Sequence, residues 1–138
     1  MTRKYTGQCA CGTVRIEAVG EPVAELHCQC RHCQLRSGTG HSSFLVFDKP
    51  GTVKIDGETR NWTVVADSGN EKHQAFCPDC GTPTHVTFAA SPDVTAISPS
   101  LLDRPGQFMP KLVTYASSAV PWDAQEPLLA RFDKLPTS

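Results

Sequence analysis

Phe76-Cys77-Pro78-Asp79-Cys80-Gly81 is a knuckle: two thiols three positions apart, a proline setting the turn between them, and a glycine free to take positive φ behind them. Such a turn at the end of a β-rich run grips one zinc ion through two sulfurs. A redox C-x-x-C has the same local spacing, but it belongs at a strand-to-helix junction in a βαβ unit. No such alternation of strand and helix surrounds Cys77.

A tetrahedral site needs two further ligands, and Gly7-Gln8-Cys9-Ala10-Cys11-Gly12 supplies a second flexible knuckle at another expected strand end. Closing Cys9, Cys11, Cys77 and Cys80 on one zinc would staple the N-terminal hairpin to the middle of the chain, a long-range closure of the kind that stabilises most. His27-Cys28-Gln29-Cys30-Arg31-His32-Cys33 then leaves three sulfurs, Cys28, Cys30 and Cys33. Three protein ligands are what a catalytic zinc takes, with its fourth position open to water or substrate. Spacing alone leaves the partition open, since either C-x-C pair can join either site. It also leaves open a fourth protein ligand at the second site, with His41 the leading candidate. His27 and His32 flank the ligands and are expected to point away; His73 and His85 are given no role.

The whole chain fits this metal reading. Seven cysteines is an odd number, and they cluster instead of scattering as small buried hydrophobes. The start Met1-Thr2-Arg3-Lys4-Tyr5 has no apolar h-region, so a cytoplasmic location with reduced thiols is expected. No apolar run is long enough to span a membrane. A net charge of -1 with interleaved acids and bases offers no basic stripe for a phosphate backbone, which argues against nucleic acid as a partner. The length suits a single domain over residues 1–138.

Short β-rich runs separated by Gly, Pro and Asp predict an all-β fold, with strands at residues 4–8, 13–19, 23–27, 42–47, 52–56, 62–66, 73–76, 84–87 and 94–97. Helix is expected only at 31–37 and around 126–132. The proline-rich tail is expected to wrap the sheets as loops and short edge strands, because each proline removes a ladder donor.

Together, Gly7-Gln8-Cys9-Ala10-Cys11-Gly12, Cys28-Gln29-Cys30-Arg31-His32-Cys33 with Ser37-Gly38, and Phe76-Cys77-Pro78-Asp79-Cys80-Gly81 resemble the glutathione-dependent formaldehyde-activating enzyme family, also called the CENP-V/GFA domain. Leu101-Leu102-Asp103-Arg104-Pro105 and Val120-Pro121-Trp122 extend the resemblance along nearly the whole chain. It implies an Mss4-like fold of packed antiparallel sheets with zinc knuckles and one or two short helices. It also implies two Zn²⁺ per chain, a structural one on Cys9, Cys11, Cys77 and Cys80 and one with an open position on Cys28, Cys30 and Cys33. The implied activity is a carbon–sulfur lyase joining a small thiol such as glutathione to formaldehyde or a related aldehyde. A non-catalytic zinc module that binds thiols or a protein partner is the alternative. A methionine-sulfoxide-reductase-like enzyme would need a cysteine outside the clusters. Arg31 and Arg36 beside the open cluster are candidates for a substrate carboxylate. His32, His41 and Arg104 are the candidates for acid–base chemistry.

Overall fold

In the computed structural model, which describes residues 3–136, β1 (Lys4–Gln8) pairs antiparallel with β2 (Arg15–Val19), Lys4 opposite Val19 and Gln8 opposite Arg15. Side chains alternate along both strands, so Tyr5, Ile16 and Ala18 are buried while Lys4, Thr6 and Val19 face outward. β2 begins two residues later than its alternation predicts. The cause is the cysteine knuckle at the hairpin tip: Val14 donates its N–H to Cys9 Sγ (3.3 Å) and accepts at its carbonyl from Cys9 N (2.9 Å). This backbone closes around sulfur instead of extending the ladder. β5 (Val53–Asp56) pairs antiparallel with β2 and completes a three-stranded sheet.

A second, eight-stranded sheet holds β3 (Ala24–Cys28), β4 (Ser42–Phe47), β6 (Arg60–Val65), β7 (Glu71–Phe76), β8 (Pro83–Phe88), β9 (Thr95–Ile97), β10 (Leu112–Thr114) and β11 (Ala130–Arg131). Its order is β11-β10-β3-β4-β9-β8-β7-β6. Neighbours run antiparallel except at one edge, where β10 lies parallel to both β3 and β11. The fold is mainly β, as the sequence indicates. The segment around 126–132, expected to be helical, instead contributes β11. Its backbone is engaged elsewhere, with Ala130 N bonded to Lys111 O (3.3 Å) and Phe132 N to Val113 O (3.0 Å), and Pro127 within it cannot donate.

β4 is covered on both faces and so joins two cores. Leu45 and Phe47 point into one core with Tyr5, Val14, Ile16, Ile97, Leu101 and Leu102, which packs the two sheets together. Tyr5 meets Phe47 edge-on with ring centroids 5.8 Å apart. Each such fully buried large side chain contributes about 1.5–3 kcal/mol. Phe44, on the opposite face, packs with Val86, Ala96 and the sulfurs of Cys28, Cys30 and Cys33. Gly7 is required where the chain crosses itself: a Cβ there would lie 2.1 Å from the Leu101 carbonyl oxygen. Leu101-Leu102-Asp103 can therefore dock on β1, where Asp103 N bonds Thr6 O (2.9 Å) and Thr6 Oγ1 bonds Asp103 Oδ2 (2.8 Å).

Among the described residues the single α-helix is α1 (Arg31–Ser37). It starts at Cys30, whose sulfur accepts from Cys33 N (3.4 Å), and stops at Gly38, which takes φ 76° and donates its N–H to Gln34 O. No helix among these residues is long and apolar enough to cross a membrane.

Candidate functional site

Folding brings the seven cysteines into two groups, Cys9, Cys11, Cys77 and Cys80 in one and Cys28, Cys30 and Cys33 in the other, the ligand atoms of each lying within 4.8 Å of one another. In the first group Cys11 Sγ lies 3.7 Å from Cys9 Sγ and 3.7 Å from Cys77 Sγ. Sulfurs about 2.3 Å from a zinc ion at the centre of a tetrahedron lie about 3.8 Å from one another. A disulfide would bring them to about 2.05 Å. The spacing therefore suits four ligands around one ion.

Both knuckles are built to hold thiolates. Gly12 and Gly81 take φ 81° and 77°, turning the chain sharply behind Cys11 and Cys80. Thr82 sits between the loops, its hydroxyl 3.1 Å from Cys80 Sγ and accepting from Ala10 N at 3.2 Å. The Thr82 hydroxyl, then the Thr82 and Cys11 N–H groups, hold the Cys80 thiol down at about 5. At Cys77 the N–H of Cys80 pulls the same way, but burial and the neighbouring sulfurs of Cys80 and Cys11 outweigh it and push that thiol up to about 11. Four sulfurs this close cannot all ionise by themselves. A divalent cation is the counter-charge that lets them.

The second group follows the same logic at a buried position. Cys28 ends β3, Cys30 caps α1 and Cys33 lies on its first turn, so a strand end and a helix start deliver three sulfurs within six residues. All three are buried. Donation from Cys28 and Cys33 holds Cys30 as the thiolate, down at about 2, while Cys28 and Cys33 are both pushed up by sharing the site. Three buried sulfurs sharing one site cannot all ionise without a cation to balance them. The donor set is soft and anionic, as zinc prefers.

No His, Asp or Glu among the described residues completes this group. His41, the leading candidate for a fourth ligand, is held elsewhere: its Nδ1 lies 2.9 Å from Asp123 Oδ1, and its ring meets His27 edge-on at 4.6 Å. Along β3, His27 faces away from Cys28 and bonds Ser43 Oγ at 2.7 Å. His73 bonds Thr63 Oγ1, and His85 is buried beside Thr84. Arg104 is exposed at the turn after Leu102 and belongs to neither group.

A cavity of about 160 Å³ opens onto Cys30, lined by Arg31, His32, Asp67, Lys72 and Tyr115. It would hold about five waters. Lys72 is close enough to Cys30 to favour its thiolate. Tyr115 is the one non-glycine among the described residues with positive φ, at 55°, a conformation that costs about 1–2 kcal/mol. It directly follows β10, whose Thr114 pairs with Cys28, so strand register places this strained tyrosine beside the sulfurs. Neither Lys72 nor Tyr115 stands out in the sequence: Tyr115 reaches the cysteines through the pairing of β10 with β3, and Lys72 reaches the cavity from a strand that pairs with neither.

Asp123 is likewise reached only through folding, although it directly follows the Val120-Pro121-Trp122 segment. Its carboxylate accepts from Gln29 Nε2 (3.0 Å) and Gln125 Nε2 (3.1 Å) as well as bonding His41. Burial would raise this carboxyl, but the bonds from Gln29 and His41 outweigh it and hold it below the usual carboxylate range. Gln29 lies between Cys28 and Cys30, so Asp123 anchors the sulfur-bearing loop. Gly40 must be glycine for this packing, since a Cβ there would lie 2.2 Å from Asp123 Cβ.

Comparison with known proteins agrees with this architecture. The crystal structure of a Rhodobacter sphaeroides protein superposes with a TM-score of 0.53 at 20% sequence identity, covering 71% of this chain and 87% of that one, a likeness of fold. A search of curated proteins gives no match. The family model described as glutathione-dependent formaldehyde-activating enzyme matches residues 4–118. With both cysteine groups inside that span, the chain belongs to the glutathione-dependent formaldehyde-activating enzyme family.

Proposed function

We propose that the chain is a two-zinc, carbon–sulfur lyase-type enzyme of the cytoplasm, folded as one domain, that joins a small thiol such as glutathione to formaldehyde or a related aldehyde. In this reading Cys9, Cys11, Cys77 and Cys80 hold a structural zinc, and Cys28, Cys30 and Cys33 hold a zinc with an open position. The observation that carries it is the convergence of three buried sulfurs, with no fourth protein ligand among the described residues, beneath a cavity that reaches Cys30. Bound there, zinc supplies a Lewis-acid position that favours the ionised form of an incoming thiol.

The chain's own residues then bind and orient. Lys72 and Arg31 place positive charge at the cavity for a carboxylate of the thiol substrate, and Asp67 provides an acceptor for an amino group. The hydroxyl of Tyr115 is the donor for the oxygen that becomes a hydroxyl when sulfur adds to the carbonyl carbon. In that step a C–S bond forms, the C=O π bond breaks, and the oxygen takes the proton the thiol gave up. A free thiol of pKa ~8.5 is a few per cent ionised at pH 7, so full ionisation adds at most about 30-fold. Holding thiol and aldehyde together must supply the rest.

The test is formaldehyde exchange with glutathione, followed by NMR, with the wild type and Cys30→Ser. Exchange faster than the spontaneous rate, lost in Cys30→Ser, supports the enzyme. Thiol binding without acceleration would replace it with a thiol-binding module.

A further inference from the structure

On the far side of α1 from its first turn lies a larger cavity, about 520 Å³, that the reading above does not use. Arg36, Ser98 and Ser100 line it together with His27, His41 and Ser43, and no carboxylate among the described residues does. Arg36 is the central group. Its Nη2 bonds Ser98 Oγ and its guanidinium lies 5.0 Å from the Phe44 ring centroid, but it pairs with no acid among the described residues. Its Nε is buried without any acceptor. A guanidinium keeps its charge; the Cys33 sulfur on the same helix favours that charge, but no carboxylate among the described residues takes its hydrogen bonds, which leaves donors for a small anion.

Both imidazoles at the cavity are engaged through Nδ1 with other groups. Ser43 occupies Nδ1 of His27, and Asp123 occupies Nδ1 of His41. Asp123 is hydrogen-bonded by Gln29, Gln125 and His41 and does not line the cavity. We infer that this cavity is a binding site for a small oxyanion, a phosphate or carboxylate group, held by Arg36 and the hydroxyls of Ser98 and Ser100.

The experiment is a titration of ¹⁵N-labelled, metal-loaded full chain with inorganic phosphate, and separately with succinate, followed by amide and imidazole NMR shifts. Saturable shifts at Ser98, Ser100, Ser43 and His41 are expected, from one or both anions, and which one saturates identifies the class. Arg36→Gln should weaken binding by about tenfold or more, and Arg36→Lys by less. Ser100→Asp, at an exposed position on the rim, should abolish binding without disturbing the core, and it keeps the proposal testable if Arg36→Gln does not fold. Non-saturating shifts with both anions, or Ser100→Asp binding as tightly as the wild type, would overturn the proposal. Thiol exchange is not part of this readout, so loss of the lyase reading leaves this result independent.

Discussion

Cys11 and Cys77 are separated by 66 positions in sequence, yet their sulfurs lie 3.7 Å apart. A cross-link closing a loop of that length stabilises by roughly 4 kcal/mol on a chain-entropy estimate, comparable with a domain's whole stability. Cys77→Ser is therefore expected to misfold or aggregate, measured as loss of a cooperative thermal transition. A soluble variant melting within a few degrees of the wild type would show that this group does not staple the fold.

The second group is local, so its loss should be tolerated. Cys30 caps α1 through its side chain, and serine is a preferred N-cap, so Cys30→Ser keeps the helix start while removing a sulfur. Stability should change by no more than about 1 kcal/mol, and metal analysis should fall from two zinc ions per chain to one. A mild chelator acting on the wild type should remove that same ion first. Equal damage from Cys30→Ser and Cys77→Ser would contradict this division of roles.

Tyr115 keeps a strained backbone beside the Cys30 cavity, which points to its hydroxyl as the feature being placed. Tyr115→Phe removes only that hydroxyl. Unfolding free energy should stay within about 0.5 kcal/mol while the rate of thiol–aldehyde exchange falls about tenfold or more. An unchanged rate would reduce Tyr115 to a packing residue.

His85 is buried, and burial followed by the nearby Arg36 charge lowers its pKa from 6.5 to about 4. Between pH 6.5 and 4 the unfolded chain binds the proton that the folded chain refuses, so stability contributed by neutral His85 is full above 6.5 and is lost as pH falls through 4. The contribution is up to about 3 kcal/mol. Denaturant titrations of wild type and His85→Gln should diverge above pH 6.5 and converge towards pH 4. Parallel curves would show that His85 does not titrate with folding.

Much of this was legible along the chain and some of it was not. β1 and β4 fall where alternation puts them, because each runs uninterrupted between turn residues. β6 and β7 extend two residues further toward Arg60 and Glu71 than predicted, since ladder bonds reach Arg60 opposite Phe76 even where side chains are exposed. β10 was hidden because three residues after Pro110 carry no periodicity, and its parallel partner β3 is far away in sequence. Each knuckle was readable from its spacing, but the pairing of Cys9 and Cys11 with Cys77 and Cys80 was not, because either C-x-C pair can join either site until the chain folds. The sequence leaves His41 open as a fourth ligand because nothing in it announces that Asp123, 82 residues on, takes its Nδ1.

The central claim is that Cys28, Cys30 and Cys33 hold a zinc ion with a position open to a thiol, and zinc-edge X-ray absorption with and without glutathione tests it most directly. Seven cysteine sulfurs shared by two ions give an average of about 3.5 sulfurs per zinc, rising to about 4 when glutathione binds, with no rise in Cys30→Ser. A sulfur count that does not change on adding glutathione, or a single zinc per chain with Cys28, Cys30 and Cys33 freely alkylated, would contradict the account.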